Sequence, residues 1–90
     1  MKISFDPAKR EWTLVHRGLD FADAERVFAR PGITVEDDRR DYGEDRYLTY
    51  GRLGDRLVAI VWTPRTDCRH VISMRKANER EQRKYGSQLG

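Results

Sequence analysis

Cysteine, histidine and long apolar runs are all scarce in this chain of 90 residues, and each scarcity removes a class of function. The single cysteine, Cys68, admits no internal disulfide and fits a reducing compartment. Two histidines, His16 and His70, with no C-x-x-C and no ligand pair at i, i+4, provide no zinc site. There is neither a P-loop nor a dinucleotide-binding glycine fingerprint. No stretch reaches the roughly 18 apolar residues of a membrane span, and the opening MKISFDPAK has no signal-peptide apolar region. The expectation is a soluble, cytoplasmic protein that works without metal or cofactor.

Charge is what the chain has in quantity. Asp, Glu, Lys and Arg make up 37% of it, against a hydrophobic fraction of 38%. So polar a short chain suits one small domain over residues 1–90 with a modest core. The net charge of +3 is mild, so its distribution matters more than its size. Glu36 to Asp45 carry six acids against Arg39 and Arg40. Arg46 to Lys76 carry seven cations against Asp55 and Asp67, a net +5. Nearly all those cations are arginine, whose planar fork matches phosphate oxygens. A polyanion partner and a solvated sheet surface fit this pattern about equally.

The local signals describe an α+β chain. Lys2–Phe5 is β-prone. Asp6 and Pro7 start a helix that runs to about Arg17, with Trp12 and Val15 or Leu14 turned inward, and Gly18 stops it. Asp20 caps a second helix to Phe28, with Phe21, Ala24, Val27 and Phe28 as its apolar stripe. Strands follow from Ile33, over Arg46–Gly51, over the continuous apolar run Arg56–Thr63 and over Cys68–Met74, separated by turns at 41–43, 53–55 and 64–67. Trp62 belongs to the core. Asn78 and Glu81 form a capping box for a last helix. With no large apolar residue between Ala77 and Tyr85, that helix is expected to be mobile or docked on a partner. The architecture expected is two N-terminal helices packed on one face of a twisted antiparallel sheet of four to five strands, plus a short C-terminal helix.

The residues that carry chemistry are cationic. RNA brings its own nucleophile, the ribose 2′-OH, so a protein that cleaves it must hold the phosphate, neutralise developing charge and move protons. Arg46, Arg65, Arg69 and Arg75 suit the first two tasks; His16, Glu44 or Tyr85 suit the third. Each has a plainer role as well. His16 complements a helix dipole, Glu44 and Arg46 make a surface ion pair, and Tyr85 packs the last helix. Cys68 reads better as a small buried strand residue than as a nucleophile, and His70, alternating with Ile72 and Met74, is the least expected participant. By strict alternation Arg69, Val71, Ser73 and Arg75 share a face. A two-residue loop Thr66-Asp67 pairs Arg65 with Cys68 and sets Arg65 opposite Arg75; a three-residue loop pairs it with Arg69 and gathers Arg65, Arg69 and Arg75.

The segments Asp6–Phe28, Glu36–Tyr47 (EDDRRDYGEDRY), Ala59–Arg65 (AIVWTPR) and Val71–Tyr85 (VISMRKANEREQRKY) together resemble the BrnT family, toxins of BrnT–BrnA type II toxin–antitoxin modules. The resemblance spans nearly the whole chain in the right order. It implies a RelE-like fold, metal-independent endoribonuclease activity and growth arrest by RNA cleavage. It also implies a BrnA-like ribbon-helix-helix antitoxin that covers the toxin, with operator DNA bound only through that complex. Carried across by position, the motif residues are Glu44 and Arg46 of GEDR, Arg65 of TPR and Arg75 of SMRKA. Family members often carry histidine directly before glycine at the end of the first helix. Here Arg17 stands between His16 and Gly18, and Glu44 is a rival to His16 for proton transfer. Arg69, Lys76 and Tyr85 complete the expected substrate contacts. The competing readings are a non-catalytic RNA-binding or antitoxin-binding module of the same fold, and a dimerisation domain whose charge serves solubility.

Overall fold

The computed structural model describes residues 2–39 and 41–89. Five strands form one sheet: β1 (Lys2–Phe5), β2 (Ile33–Glu36), β3 (Tyr47–Leu53), β4 (Arg56–Pro64) and β5 (Cys68–Lys76), in the spatial order β1-β5-β4-β3-β2. The helices are α1 (Pro7–Arg17), α2 (Ala24–Phe28) and α3 (Glu79–Tyr85). The sheet is mixed rather than antiparallel throughout, because β1 runs parallel to β5 at one edge. A parallel pair needs a long connection, and here the rest of the chain supplies it.

Local chemistry explains the element boundaries. Asp6 caps α1 by accepting from the Ala8 N–H, Pro7 opens the helix, and Gly18 closes it in the left-handed region at φ 67°. The second helix is shorter than its stripe suggests. Asp20 caps a 3₁₀ turn over Phe21–Asp23 that runs into α2, a common way for a helix to begin. Phe21, Ala24 and Val27 are buried as expected, and Phe28 packs on the same cluster.

Helix α1 departs from expectation in what it buries. Trp12 is 51% exposed, Leu14 41% and Val15 67%, while Thr13 is buried. One turn to either side of Thr13 lie Arg10 and Arg17. Arg10 makes a two-pronged pair with Asp20 at 2.7 and 2.9 Å, and Arg17 donates to the Met74 carbonyl at 3.0 Å. α1 thus packs along β5 beyond the stretch that β1 pairs, Cys68–Val71. Backbone at a sheet margin wants donors more than apolar cover, so Thr13 is buried against it and the exposed Arg17 reaches back to its carbonyl.

The main core lies on one face of the sheet, where Val58, Ile60, Trp62, Val71 and Met74 meet Leu19, Phe21, Ala24 and Val27. β4 is buried on both sides from Leu57 to Thr63, as its continuous apolar run requires. Gly51 lets α2 approach, since a Cβ there would meet Val27 Cγ1 at 2.6 Å. The Trp62 indole N–H donates to Thr49 Oγ1 at 2.8 Å, so the buried ring keeps its polar atom satisfied.

Candidate functional site

The face of the sheet turned away from Phe21 and Val27 carries the charged side chains, and one irregularity decides which ones. The β4–β5 loop is the two-residue Thr66-Asp67, with the Arg65 N–H donating to the Cys68 carbonyl. Pro64 pairs with Arg69, Thr63 with His70 and Trp62 with Val71. The register then slips: Val61 pairs with Ser73, Ile60 with Met74 and Ala59 with Arg75. Ile72 is the extra residue of a β-bulge, and a bulge reverses the alternation beyond it. The short loop was expected to set Arg65 opposite Arg75. With the bulge, Leu57, Ala59, Val61 and Thr63 of β4, and Arg65 just past its end, share a face with Cys68, His70, Ser73 and Arg75 of β5.

The same register removes Arg69 and Lys76 from the expected group. Arg69 lies on the core side, its guanidinium 4.5 Å from the Phe28 ring centroid and 4.7 Å from that of Trp62. It closes the core's end through cation–π contact, and its Nε is buried without a hydrogen-bond partner among the described residues. Lys76 pairs with Val58, also of the core face, and is exposed.

At one end of the charged face the 41–46 loop brings three expected residues together. Glu44 lies 3.3 Å from Arg46 and 3.8 Å from Arg65, so one carboxylate is shared by two guanidiniums. The Arg46 guanidinium sits 3.8 Å above the Tyr42 ring centroid. Thr63 is buried and donates its hydroxyl to the Asp45 carbonyl, which pins the loop beside β4. The Arg65 side chain is 52% exposed.

Arg75 marks the other end. It pairs with Ala59, six residues along β4 from Arg65, and so stands about 20 Å away at ordinary strand rise. The two arginines share a face without forming one clamp. Arg75 makes a two-pronged ion pair with Glu81 of α3 at 2.7 and 2.9 Å. Tyr50, also on this face, donates its hydroxyl to the same carboxylate, and Tyr85 stacks on the Tyr50 ring at 4.3 Å. Arg52 donates to the Gly86 carbonyl at 3.1 Å. These contacts dock α3 on its own sheet without large apolar side chains, where a mobile or partner-bound helix was expected. Hydrogen bonds from Arg75 and Tyr50 hold the Glu81 carboxyl well down, at about 2, with the arginine the larger influence. Burial, reinforced by Glu81, pushes the Tyr50 phenol up to about 12.

His16 stands apart from this group. Its ring packs on Trp12 of α1 at 4.7 Å, and among the described residues it bonds none of the expected arginines. His70, by contrast, lies on the charged face. Its Nδ1 is 2.8 Å from Ser4 Oγ of β1, and Cys68 Sγ approaches the same oxygen at 3.3 Å. Cys68 is half-buried rather than buried. The charged face therefore also carries His70, the least expected participant, together with Tyr50 and the ion pairing of Glu81, neither of which was foreseen. Only Glu81 had a signal, and it pointed to helix capping.

Among the described residues no three His, Cys, Asp or Glu side chains converge as a metal site would require, and no helix is long and apolar enough to cross a membrane. A family model described as "Ribonuclease toxin, BrnT, of type II toxin-antitoxin system" matches residues 5–81. No individual curated protein matches the chain.

Proposed function

The chain belongs to the BrnT ribonuclease toxins of type II toxin–antitoxin systems, and from that premise we propose that the charged sheet face binds RNA and cleaves it without a metal ion. The observation that carries this reading is the Arg46–Glu44–Arg65 cluster at the uncovered end of the face. Arg65 and Arg46 hold the scissile phosphate and offset the charge that develops as the 2′-oxygen attacks it. Glu44 orients both guanidiniums. Arg75, with Tyr85 beside it, lies about 20 Å along the face and takes another phosphate of the same strand, several nucleotides away. Attack by the 2′-OH leaves a 2′,3′-cyclic phosphate and a free 5′-OH. For proton transfer the resemblance offers His16, which stands one residue away from the family's usual place directly before glycine, and Glu44 is its rival.

The biological partner is a BrnA-like ribbon-helix-helix antitoxin that neutralises the toxin in the cytoplasm; operator DNA is reached only through their complex. The fold is RelE-like in this reading. The test is cleavage of RNA in the presence of EDTA by wild type, Arg65→Ala and Arg75→Ala. Loss of one charge-stabilising donor costs about 100-fold or more in rate, and Arg65→Ala should show at least that. Intact RNA under wild-type protein, or undiminished cutting by both variants, overturns the proposal. Expression alone should arrest growth, with rescue by the antitoxin.

One observation favours a second reading. The ion pair with Glu81 already neutralises Arg75, which lowers the charge available for catalysis and suits a non-catalytic RNA-binding or antitoxin-binding domain. Salt-dependent RNA binding without cleavage would select that alternative.

A further inference from the structure

We infer that His70 is the general base of the cleavage reaction; the inference rests on the ribonuclease reading above and assigns to it a residue that lies outside the expected site. His70 sits on the charged face because the bulge at Ile72 follows it: Thr63 is its β4 partner, and Arg65 is the diagonal neighbour of that pair. Diagonal neighbours across an antiparallel pair lie about 7–8 Å apart, within the combined reach of an imidazole and a guanidinium holding one phosphodiester. His16 is on α1 against Trp12, and Glu44 is engaged by two arginines. His70 is thus a side chain beside Arg65 with an uncommitted ring nitrogen.

The ring is also held in a useful orientation. Ser4 Oγ has two lone pairs and can accept from the Cys68 thiol and from the His70 Nδ1–H together. With the proton on Nδ1, Nε2 carries the free lone pair. Nε2 makes no hydrogen bond among the described residues, and the half-buried ring does not seal it from solvent. A base needs this arrangement: one nitrogen fixed by a neighbour, the other presented to the reacting proton.

The step balances. The 2′-OH proton passes to Nε2, the 2′-oxygen–phosphorus bond forms, and the bond from phosphorus to the 5′-oxygen breaks. The 5′-oxygen takes a proton from water, and the imidazolium returns its proton to solvent. Arg65 and Arg46 stay charged throughout.

The experiment uses the full chain and a single-stranded RNA transcript, with the cut site mapped for wild type. His70→Gln and His70→Ala should lower kcat by about 100-fold or more, the ordinary contribution of a general base, while KM stays within about threefold. Added imidazole should restore part of the His70→Ala rate. A short RNA spanning the mapped site, with sulfur as the bridging 5′ leaving atom, leaves without protonation, and the His70→Gln defect should persist on it. Full activity in His70→Gln overturns the assignment, as does a defect that imidazole cannot touch in a variant with native circular dichroism. A defect that vanishes on the sulfur substrate also overturns it, because His70 then acts as the acid. No cleavage by wild type removes the ribonuclease reading itself, an outcome distinct from the others.

Discussion

Replacing Glu81 with glutamine tests the docking of α3 on the sheet. The carboxylate accepts two bonds from Arg75 and one from the Tyr50 hydroxyl, and it closes the capping box by accepting from the Asn78 N–H. Glutamine keeps the shape and one acceptor, so the loss is chiefly of charge. A carboxyl moved from 4.5 to about 2 corresponds to about 3 kcal/mol of stability. The Arg75 side chain is 36% exposed, and solvent screening reduces that to about 2 kcal/mol. Because the folded-state value lies below the unfolded one, this stability is fully present above about pH 4.5 and disappears as the pH falls towards about 2. Urea unfolding at pH 7 should therefore show Glu81→Gln with its midpoint about 1 to 2 M below wild type. The gap should narrow through pH 4 and close near pH 2. A gap that stays constant with pH would mean that the variant acts through helix packing or capping rather than through the charged pair.

Two further substitutions probe the packing. Gly51→Ala places a methyl where Val27 Cγ1 is only 2.6 Å away and should cost about 2 kcal/mol in thermal or urea unfolding, the usual range for overpacking; adding Val27→Ala should recover part of that, whereas additive losses would disprove the contact. Val15→Thr should change stability by less than about 0.5 kcal/mol, because Val15 is 67% exposed; a larger loss in calorimetry would show that the outer face of α1 is covered.

Helix ends were the most legible part of the fold, because a cap is a contract among neighbours in sequence. Asp6 with Pro7, Gly18, and Asn78 with Glu81 each do what their chemistry requires within four residues. The Glu44–Arg46 pair was legible for the same reason. What α1 buries was not: a stripe rule supposes that the helix meets an apolar surface, whereas α1 meets the margin of β5, where Arg17 reaches a backbone carbonyl. The docking of α3 was hidden in a similar way. Its anchors, Arg75, Tyr50 and Tyr85, are up to 35 positions apart in the chain, and no local pattern links a tyrosine in β3 to a glutamate that already has a capping role.

The least legible feature has the largest consequence for the site. Val71 and Met74 are both fully buried in the same core cluster. They are three residues apart, and strict alternation cannot put residues at odd spacing on one face. Either one of them leaves the core or the strand takes an extra residue. Burying both is worth several kcal/mol by ordinary transfer values, more than the ladder bonding that a bulge disrupts. The bulge at Ile72 is therefore forced by hydrophobic packing against Ile60 and Trp62, on the side of the sheet away from the charges. Its effect on the other side is to bring Cys68 and His70 onto the face of Ser73 and Arg75. The side chains proposed to act on RNA share a surface because the core required an odd step, and a reading that took the charged residues alone had no means of finding it.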